Sequence, residues 1–229
     1  MKHSTHLFTK MKPAFTMIEL LFVIIVIGIL ASMAIPRMDR DLRQEAGDNI
    51  LSAIRYTQNL ALNDDKTNPF GGNWQRSLWQ IRFTGTTVIS YSIGANIDYA
   101  PPENGTNIDK DESAIDPANG KFMYNNSPSS PQPDESPNVF LTEKYGINGV
   151  TFNTCKGTQN TSAKHIAFDQ LGRPHRGVSN SGSNDYSTYV HKNGSCTITF
   201  TFATAGISPL IINIAQETGY ASIVGQPDS

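Results

Sequence analysis

The sequence has few of the residues from which catalytic and metal sites are usually built. It contains two cysteines, five histidines and two tryptophans in 229 residues, and 17% of its side chains are charged. There is no Cys-x-x-Cys or His-x-x-x-His spacing of the kind that binds zinc, and no phosphate-binding loop. No histidine stands beside a serine or cysteine in a nucleophile motif. The sequence therefore predicts a protein that is not an enzyme and that holds no metal and no cofactor.

Charge is also missing from a long apolar run near the N-terminus. Between Leu20 and Ile35 no side chain is charged, and Ser32 is the one polar side chain. A helix over residues 15–36 would be about 30 Å long, which matches the hydrocarbon thickness of a bilayer. Residues 1–14 carry three lysines and no acid, so the positive-inside rule places the N-terminus in the cytoplasm. We therefore predict a leader over 1–14, a membrane helix over 15–36 and an exported body over 37–229.

Two features of the body are open to more than one interpretation. Outside the leader the chain has 15 basic and 20 acidic side chains, which argues against nucleic-acid binding across the whole surface. The local exception is a basic cluster at Arg173 and Arg176, which either contacts an anion such as DNA or is ordinary solvated surface. Cys155 and Cys196 lie in the exported part, where a disulfide can form. The alternative for these cysteines is two separate buried thiols.

The pattern of apolar residues predicts the secondary structure of the body. Apolar residues continue past Pro36 at three- and four-residue steps, which indicates an amphipathic helix over 37–63. The region 74–229 is β-rich, with the clearest strands at 79–83, 87–91, 150–152, 166–168, 196–202 and 210–214. The fold class is therefore α+β, with a long N-terminal helix packed on an antiparallel sheet.

Between the strands lies a segment of different composition, residues 101–137. It holds seven of the chain's 13 prolines and is predicted to be an irregular surface loop that contacts a partner. Three of its acids, Asp109, Asp111 and Asp116, lack the glycine turn and the terminal glutamate of a calcium loop. We expect them to be solvated.

The most specific motif is the string Lys-Pro-Ala-Phe-Thr-Met-Ile-Glu-Leu-Leu at residues 12–21, followed by the apolar run and a proline. It resembles the N-terminus of type IV prepilins and pseudopilins. In that family a membrane-embedded prepilin peptidase cuts before the phenylalanine and N-methylates the new terminus. The resemblance implies cleavage between Ala14 and Phe15 and methylation of Phe15. Ala14 stands where the family usually has glycine.

The same resemblance implies how the protein assembles. Glu19 would pair with the N-terminal ammonium of a neighbouring subunit in the filament core, the alternative being a carboxylate at the headgroup boundary. Gly28 and Pro36 would soften the helix locally. The implied partners are other pilin or pseudopilin subunits, the prepilin peptidase, the inner-membrane assembly platform and the inner membrane, with exported cargo or DNA as further partners. The protein would be a single-pass inner-membrane protein with a periplasmic body before it enters the filament.

Two segments of the body, residues 165–174 and 211–220, are similar to the GspH/FimT-type minor pseudopilins. The expected function is that of a minor pilin or pseudopilin, a structural subunit of a type II secretion pseudopilus or type IV pilus. Two alternatives stay open: a DNA-binding competence minor pilin, and a membrane-tethered periplasmic binding protein. An ordinary secretory signal cut after Ser32-Met33-Ala34 is opposed by Glu19, an acid inside the apolar region.

Overall fold

A computed structural model describes residues 16–68, 70, 74–97, 108–127, 129–153, 155, 164–178, 188–190 and 196–226, with the backbone alone for 32–41. The chain divides into two compact units, Met1–Asp41 and Leu42–Ser229. The long helix α1, Met17–Asn63, contributes to both units, and its backbone passes Pro36 without interruption.

Within the second unit, α1 buries one face. The buried positions recur at three- and four-residue steps, as expected for an amphipathic helix. They are Ala46, Gly47, Ile50, Leu51, Ala53, Ile54, Thr57 and Ala61. The buried Thr57 hydroxyl donates to the Ala53 carbonyl oxygen at 2.8 Å, so it is satisfied within the helix itself. The helix ends at Asn63, whose side-chain amide donates to the Asn59 carbonyl oxygen.

The strands form two antiparallel four-stranded sheets. In chain order they are β1 (Trp79–Thr84), β2 (Ser90–Ala95), β3 (Ile147–Asn153), β4 (His165–Phe168), β5 (Pro174–His175), β6 (Cys196–Phe202), β7 (Leu210–Ile214) and β8 (Ala221–Ile223). The first sheet has the order β2-β1-β4-β5 and the second the order β3-β6-β7-β8. A short helix α2, Leu141–Tyr145, precedes β3. The predicted α+β class is confirmed, with the strands divided between two sheets.

One hydrophobic core joins α1 to both sheets. Residues from the helix, from β1, β2 and β4, and from β6, β7 and β8 belong to a single buried cluster. Phe83 of β1 meets Phe200 of β6 edge to face, with ring centroids 5.3 Å apart. Helix α1 approaches the second sheet at Gly47, where a Cβ atom would lie 2.9 Å from Ile223 Cδ1. Both sheets are therefore fixed to the same helix through shared packing.

The second strand differs from its prediction. The alternation at 87–91 predicted a strand there, but β2 begins at Ser90. Ile89 is instead bonded to Thr142: its N–H donates to the Thr142 hydroxyl at 2.6 Å, and its carbonyl oxygen accepts from the Thr142 N–H at 3.1 Å. Thr142 lies in α2, far along the chain, so the local pattern carries no sign of this contact.

The described residues of the 108–137 segment form turns and isolated bridges, and several of their acids point inward. Asp116 is 3% exposed, so the expectation that it is solvated was wrong. Its carboxylate accepts from the Ala118 N–H and from the Asn138 side chain at 2.8 and 2.9 Å. Glu135 similarly accepts from the N–H groups of Asn126 and Gln132 at 2.7 and 2.8 Å. Buried carboxylates thus satisfy backbone groups that no regular strand satisfies.

Candidate functional site

The N-terminal part of α1 exposes an apolar surface. Its large side chains are exposed on every side of the helix, from 37% at Val26 to 91% at Met17. An apolar surface all round a helix is stable only when it is covered. Among the residues that the structure describes, no helix has the length and hydropathy needed to cross a membrane. The exposed side chains between Met17 and Leu30 define a continuous apolar surface on the helix.

The helix begins with a hydrogen-bonded cap. The Thr16 hydroxyl oxygen accepts from the Glu19 N–H at 3.3 Å, and the hydroxyl lies 3.5 Å from Glu19 Oε2. A threonine followed three residues later by a glutamate is the sequence signature of a capping box, and its N-cap bond is formed here, with the Thr16 hydroxyl accepting from the Glu19 N–H. Glu19 thus has a partner in its own chain. This role is not among the sequence predictions, although the Thr-Met-Ile-Glu spacing is its signal.

The structure describes the other predicted site residues of this segment in less detail. Gly28 lies in the helix, with no neighbouring atom within 4 Å of where a Cβ would be. Pro36 lies within the helical backbone. Ala14, Phe15 and the leader 1–14 lie outside the described residues. Cleavage, methylation and the pairing of Glu19 with a neighbouring subunit stay predictions.

The basic cluster has an internal role in the second unit. Arg173 Nε lies 2.7 Å from Asp169 Oδ2, and its guanidinium stands over the Tyr189 ring at 5.3 Å. Arg176 is 8% exposed and donates to the Cys155 carbonyl oxygen at 2.8 Å. Burial lowers the pKa of Arg176 from its usual value. Arg176 is therefore directed into the body, whereas Arg173 keeps 28% of its side chain exposed. An anion contact at this cluster stays a prediction.

A disulfide lies next to this cluster. It joins Cys155, just beyond β3, to Cys196, the first residue of β6. The two strands are already paired there, with Asn153 opposite Thr197. Arg176, which bonds to the Cys155 carbonyl oxygen, also stands 4.8 Å from the Phe152 ring centroid. The disulfide and Arg176 therefore fasten the chain after β5 to the β3–β6 pair.

Three polar side chains form a row of hydrogen bonds that was not predicted from the sequence. His175 Nδ1 lies 2.8 Å from the Thr188 hydroxyl, and its Nε2 lies 3.1 Å from Asp169 Oδ2. Hydroxyl, imidazole and carboxylate in this order resemble a nucleophile, base and orienting acid. All three residues are fully buried, so a substrate has no access to the hydroxyl. The arrangement instead holds β5 between the 169–173 turn and the 188–190 segment.

The Asp169 carboxylate is the acceptor at the centre of this turn. It accepts from the N–H groups of Leu171 and Arg173 at 3.0 and 2.9 Å. Burial by itself raises the pKa of Asp169, but hydrogen bonds from His175 and Arg173 outweigh burial and hold the pKa below its usual range. The carboxylate is therefore ionised and committed to the turn.

His165 is a second buried histidine with a structural role. Its Nε2 accepts from the N–H groups of Gly177 and Val178, each at 3.2 Å. Burial, together with the charges of Arg82 and Arg176, lowers the pKa of His165 to about 3. The imidazole is thus a neutral acceptor at physiological pH. Within the part of the chain that the structure describes, no group of three acids, histidines or cysteines is placed to hold a metal ion.

Comparison with known proteins identifies the N-terminal segment. Residues 10–35 match a family model described as the prokaryotic N-terminal methylation motif, which is the signature of type IV prepilins and pseudopilins. The predicted resemblance of this segment is confirmed. No curated protein and no solved structure shows significant similarity to the chain.

Proposed function

We propose, from the prepilin methylation motif at its N-terminus, that this chain is processed and assembled as a structural, non-catalytic subunit of a type IV pilus or a type II secretion pseudopilus. The observation that carries the proposal is the overlap of two features. The motif covers residues 10–35, and the same stretch contains the apolar side chains that α1 exposes between Met17 and Leu30. A processing signal thus adjoins a surface that needs a partner.

The proposed mechanism moves one helix between two environments. The precursor is held in the inner membrane by residues 15–36, with its body in the periplasm. The peptidase cuts between Ala14 and Phe15 and methylates the new terminus. The assembly platform then transfers the subunit, and the apolar helix exchanges lipid for the helices of neighbouring subunits. Because lipid and neighbouring helices are both apolar, this exchange alone gives little preference for one register.

Glu19 supplies that preference. An unpaired carboxylate in hydrocarbon is costly, and pairing with an ammonium group recovers much of the cost. In the single chain Glu19 is bonded to Thr16. In the filament the N-terminal ammonium of a neighbour would take over as the stronger, charged partner. Docking is then favoured in the register that brings the two charges together.

We propose a narrower assignment, to the GspH/FimT-type minor pseudopilins, from the resemblance of residues 165–174 and 211–220. The two segments that carry this resemblance meet at Gln58 of α1. Gln58 Nε2 donates to the Gly172 carbonyl oxygen at 2.9 Å and to the Thr218 carbonyl oxygen at 2.8 Å. The paired motifs therefore have a common structural role in holding two turns on the helix.

N-terminal mass spectrometry of the protein from its native membrane tests the proposal. The expected terminus is N-methyl-Phe15. A terminus at Met1 or at Ile35 contradicts the proposal, because the first means no processing and the second means an ordinary secretory signal. The variant Ala14→Gly serves as a matched control, since it restores the residue that the family usually has before the cut. It should give the same terminus with equal or faster processing.

The two alternatives have no favouring contact among the described residues. The competence alternative needs basic groups available to DNA, but Arg173 and Arg176 are engaged with Asp169 and with the Cys155 carbonyl oxygen. If Arg173→Gln left DNA affinity and transformation unchanged, DNA binding at this cluster would be excluded. The tether alternative requires that the identity of residue 19 does not matter for function, which substitution of Glu19 tests directly.

A further inference from the structure

A cleft of about 380 Å³ lies beside α1 within the second unit. One wall is the helix between residues 45 and 56, and the opposite wall is the turn at 116–118. Two buried tyrosines, Tyr91 and Tyr145, also line the cleft, as does Met123. The volume is at the lower end of the range for ligand pockets, so it suits a small group such as one long side chain.

The charge around the cleft is negative. Glu45, Asp48 and Asp116 border it, and no lysine, arginine or histidine is among the described residues that line it. Glu45 and Asp48 are exposed on the helix, three residues apart and therefore on one face. Lys144, outside the lining, lies 3.6 Å from Glu45 Oε1. Lys144 thus offsets part of the charge of Glu45, while Asp48 accepts from the neutral Gln44 side chain at 2.9 Å and keeps its charge. The mouth of the cleft therefore carries a net negative charge.

Asp116 acts at longer range. Its carboxylate is already committed to Asn138, Asn119 and the Ala118 N–H, so it adds negative potential rather than a direct contact. Burial and the charge of Asp116 raise the pKa of Tyr56 in the wall of the cleft. A negative potential in a partly closed, low-dielectric space attracts a cation more strongly than the same charges on an open surface.

The aromatic lining favours the same kind of ligand. Of the three tyrosines that border the cleft, Tyr91 and Tyr145 are buried, whereas Tyr56 is partly exposed. The Tyr56 ring is therefore the one that an incoming cation can reach, and a cation is attracted to the face of an aromatic ring within about 6 Å. Lys144 already shows this preference, with Nζ 5.1 Å from the Tyr145 ring centroid. Carboxylates together with tyrosine rings match a guanidinium or an ammonium group, since each offers donors and a positive charge.

We propose that this cleft is a docking site for an arginine or lysine side chain of an adjacent filament subunit. The proposal rests on the proposed function, because assembly through the apolar helices would hold the bodies of adjacent subunits within reach of one another. At such a high effective concentration, a contact that is weak but measurable between free molecules is largely occupied. The cleft would then select and orient the neighbouring body, while the apolar helices hold the filament together.

A charged probe and its neutral isostere test the cleft directly. The purified full chain in detergent micelles is titrated with N-acetyl-arginine amide and, separately, with N-acetyl-citrulline amide, which has nearly the same shape but no charge. The NMR signals of the tyrosine rings report binding. Saturable shifts of Tyr56 and Tyr145 with the arginine probe, and about fivefold weaker binding of the citrulline probe, are expected. Equal binding of the two probes, or no saturable shift, would overturn the proposal.

Substitutions at the mouth of the cleft provide the matched comparison. Glu45→Gln with Asp48→Asn should weaken binding of the arginine probe about fivefold. The control pair Asp111→Asn with Glu217→Gln removes the same charge from exposed positions outside the cleft and should leave binding unchanged. If both pairs weaken binding equally, net charge rather than the cleft attracts the probe, and the proposal is wrong.

A measurement in cells separates this inference from the proposed function. The Glu45→Gln, Asp48→Asn variant should be processed to the same N-terminal mass but should be depleted from the filament fraction. An unchanged filament fraction would overturn the role of the cleft in assembly and leave the proposed function standing. An unprocessed N-terminus in the unsubstituted chain would instead contradict the proposed function, while the probe titration would still decide whether the cleft binds a cation.

Discussion

Gly219 packs directly against the backbone of Gly172: a Cβ atom on Gly219 would lie 2.2 Å from the Gly172 carbonyl oxygen. Gly219 also has φ +66°, a conformation that side chains disfavour. The same carbonyl oxygen accepts a hydrogen bond from Gln58 of α1, which also binds the Thr218 carbonyl oxygen. The turn before β5 and the turn before β8 are thus fixed to the helix at one point.

Replacement of Gly219 by alanine should therefore destabilise the body by about 3 kcal/mol, from the strained φ and from the backbone clash. Urea or thermal unfolding measures the loss. The matched control is Gly120→Ala, where φ is +71° but nothing lies within 4 Å of the added Cβ. That control should cost about 1 kcal/mol. Equal losses of stability in the two variants would mean that the contact between residue 219 and the Gly172 carbonyl oxygen does not contribute to the effect.

Protonation of His165 should make stability depend on pH. The pKa of His165 in the fold is about 3, whereas an unfolded histidine titrates near 6.5. The unfolded chain therefore binds the extra proton as pH falls below about 6.5, and the free energy of unfolding decreases from there to about pH 3. The slope from this one group is at most about 1.4 kcal/mol per pH unit.

The variant His165→Gln tests this pH dependence, because glutamine keeps an acceptor oxygen for the Gly177 and Val178 N–H groups but does not titrate. Denaturant unfolding between pH 7 and pH 4 should show a smaller slope for the variant than for the unsubstituted protein. Parallel slopes would show that His165 is not buried in its neutral form.

Asp116 should contribute stability that is lost in acid. Burial by itself raises the pKa of this carboxyl, but hydrogen bonds from Ser136, Ala118 and Asn138 outweigh burial and lower it. A carboxyl with a lowered pKa stabilises the fold above its unfolded pKa of about 3.9, and this stability is lost as pH falls through the lower pKa of the folded state.

Replacing Asp116 with asparagine should accordingly cost about 2 kcal/mol at pH 7 and less at pH 3, where the carboxyl of the unfolded chain is already mostly protonated. Unfolding curves at the two pH values give the comparison. Asp111→Asn, at an exposed position, should change stability little at either pH. A pH-independent loss at Asp116 would show that its hydrogen bonds do not require the charge.

Two substitutions of Glu19 separate its capping role from its proposed role in assembly. The N–H of residue 19 that the Thr16 hydroxyl caps belongs to the backbone, so both variants keep that bond. Glu19→Gln removes the charge but keeps an acceptor for the Thr16 hydroxyl, whereas Glu19→Leu removes both the charge and the acceptor. If an ammonium group of a neighbouring subunit pairs with Glu19, both variants should be processed normally and both should lower the filament fraction about tenfold.

The filament fraction of the cells, together with the N-terminal mass, gives the result. Normal assembly of Glu19→Gln with a defect confined to Glu19→Leu would show that Glu19 acts only through its hydrogen bond with the Thr16 hydroxyl. Full assembly of both variants would favour a plain membrane tether.

The sequence by itself determined the features that depend on neighbouring residues. The apolar run, the Phe-Thr-Met-Ile-Glu-Leu string and the start of the amphipathic face are local periodic patterns, and the family model matches the same N-terminal stretch. The strands at 196–202 and 210–214 have the bounds that their alternation predicted. Asn63 ends the helix where three polar residues begin. Such patterns are readable because burial on one face repeats with the period of the helix or strand.

Tertiary structure alone decided the features whose partners are distant in the chain. Ile89 is excluded from β2 by its bonds to Thr142, and Asp116 is buried because Asn138 supplies a donor. From the sequence Arg176 was a candidate for contact with an anion, yet its guanidinium donates to the Cys155 carbonyl oxygen. A polar side chain is buried only where the fold brings it a partner. Whether a charge faces solvent or the interior is therefore set by packing across the chain, which no local pattern records.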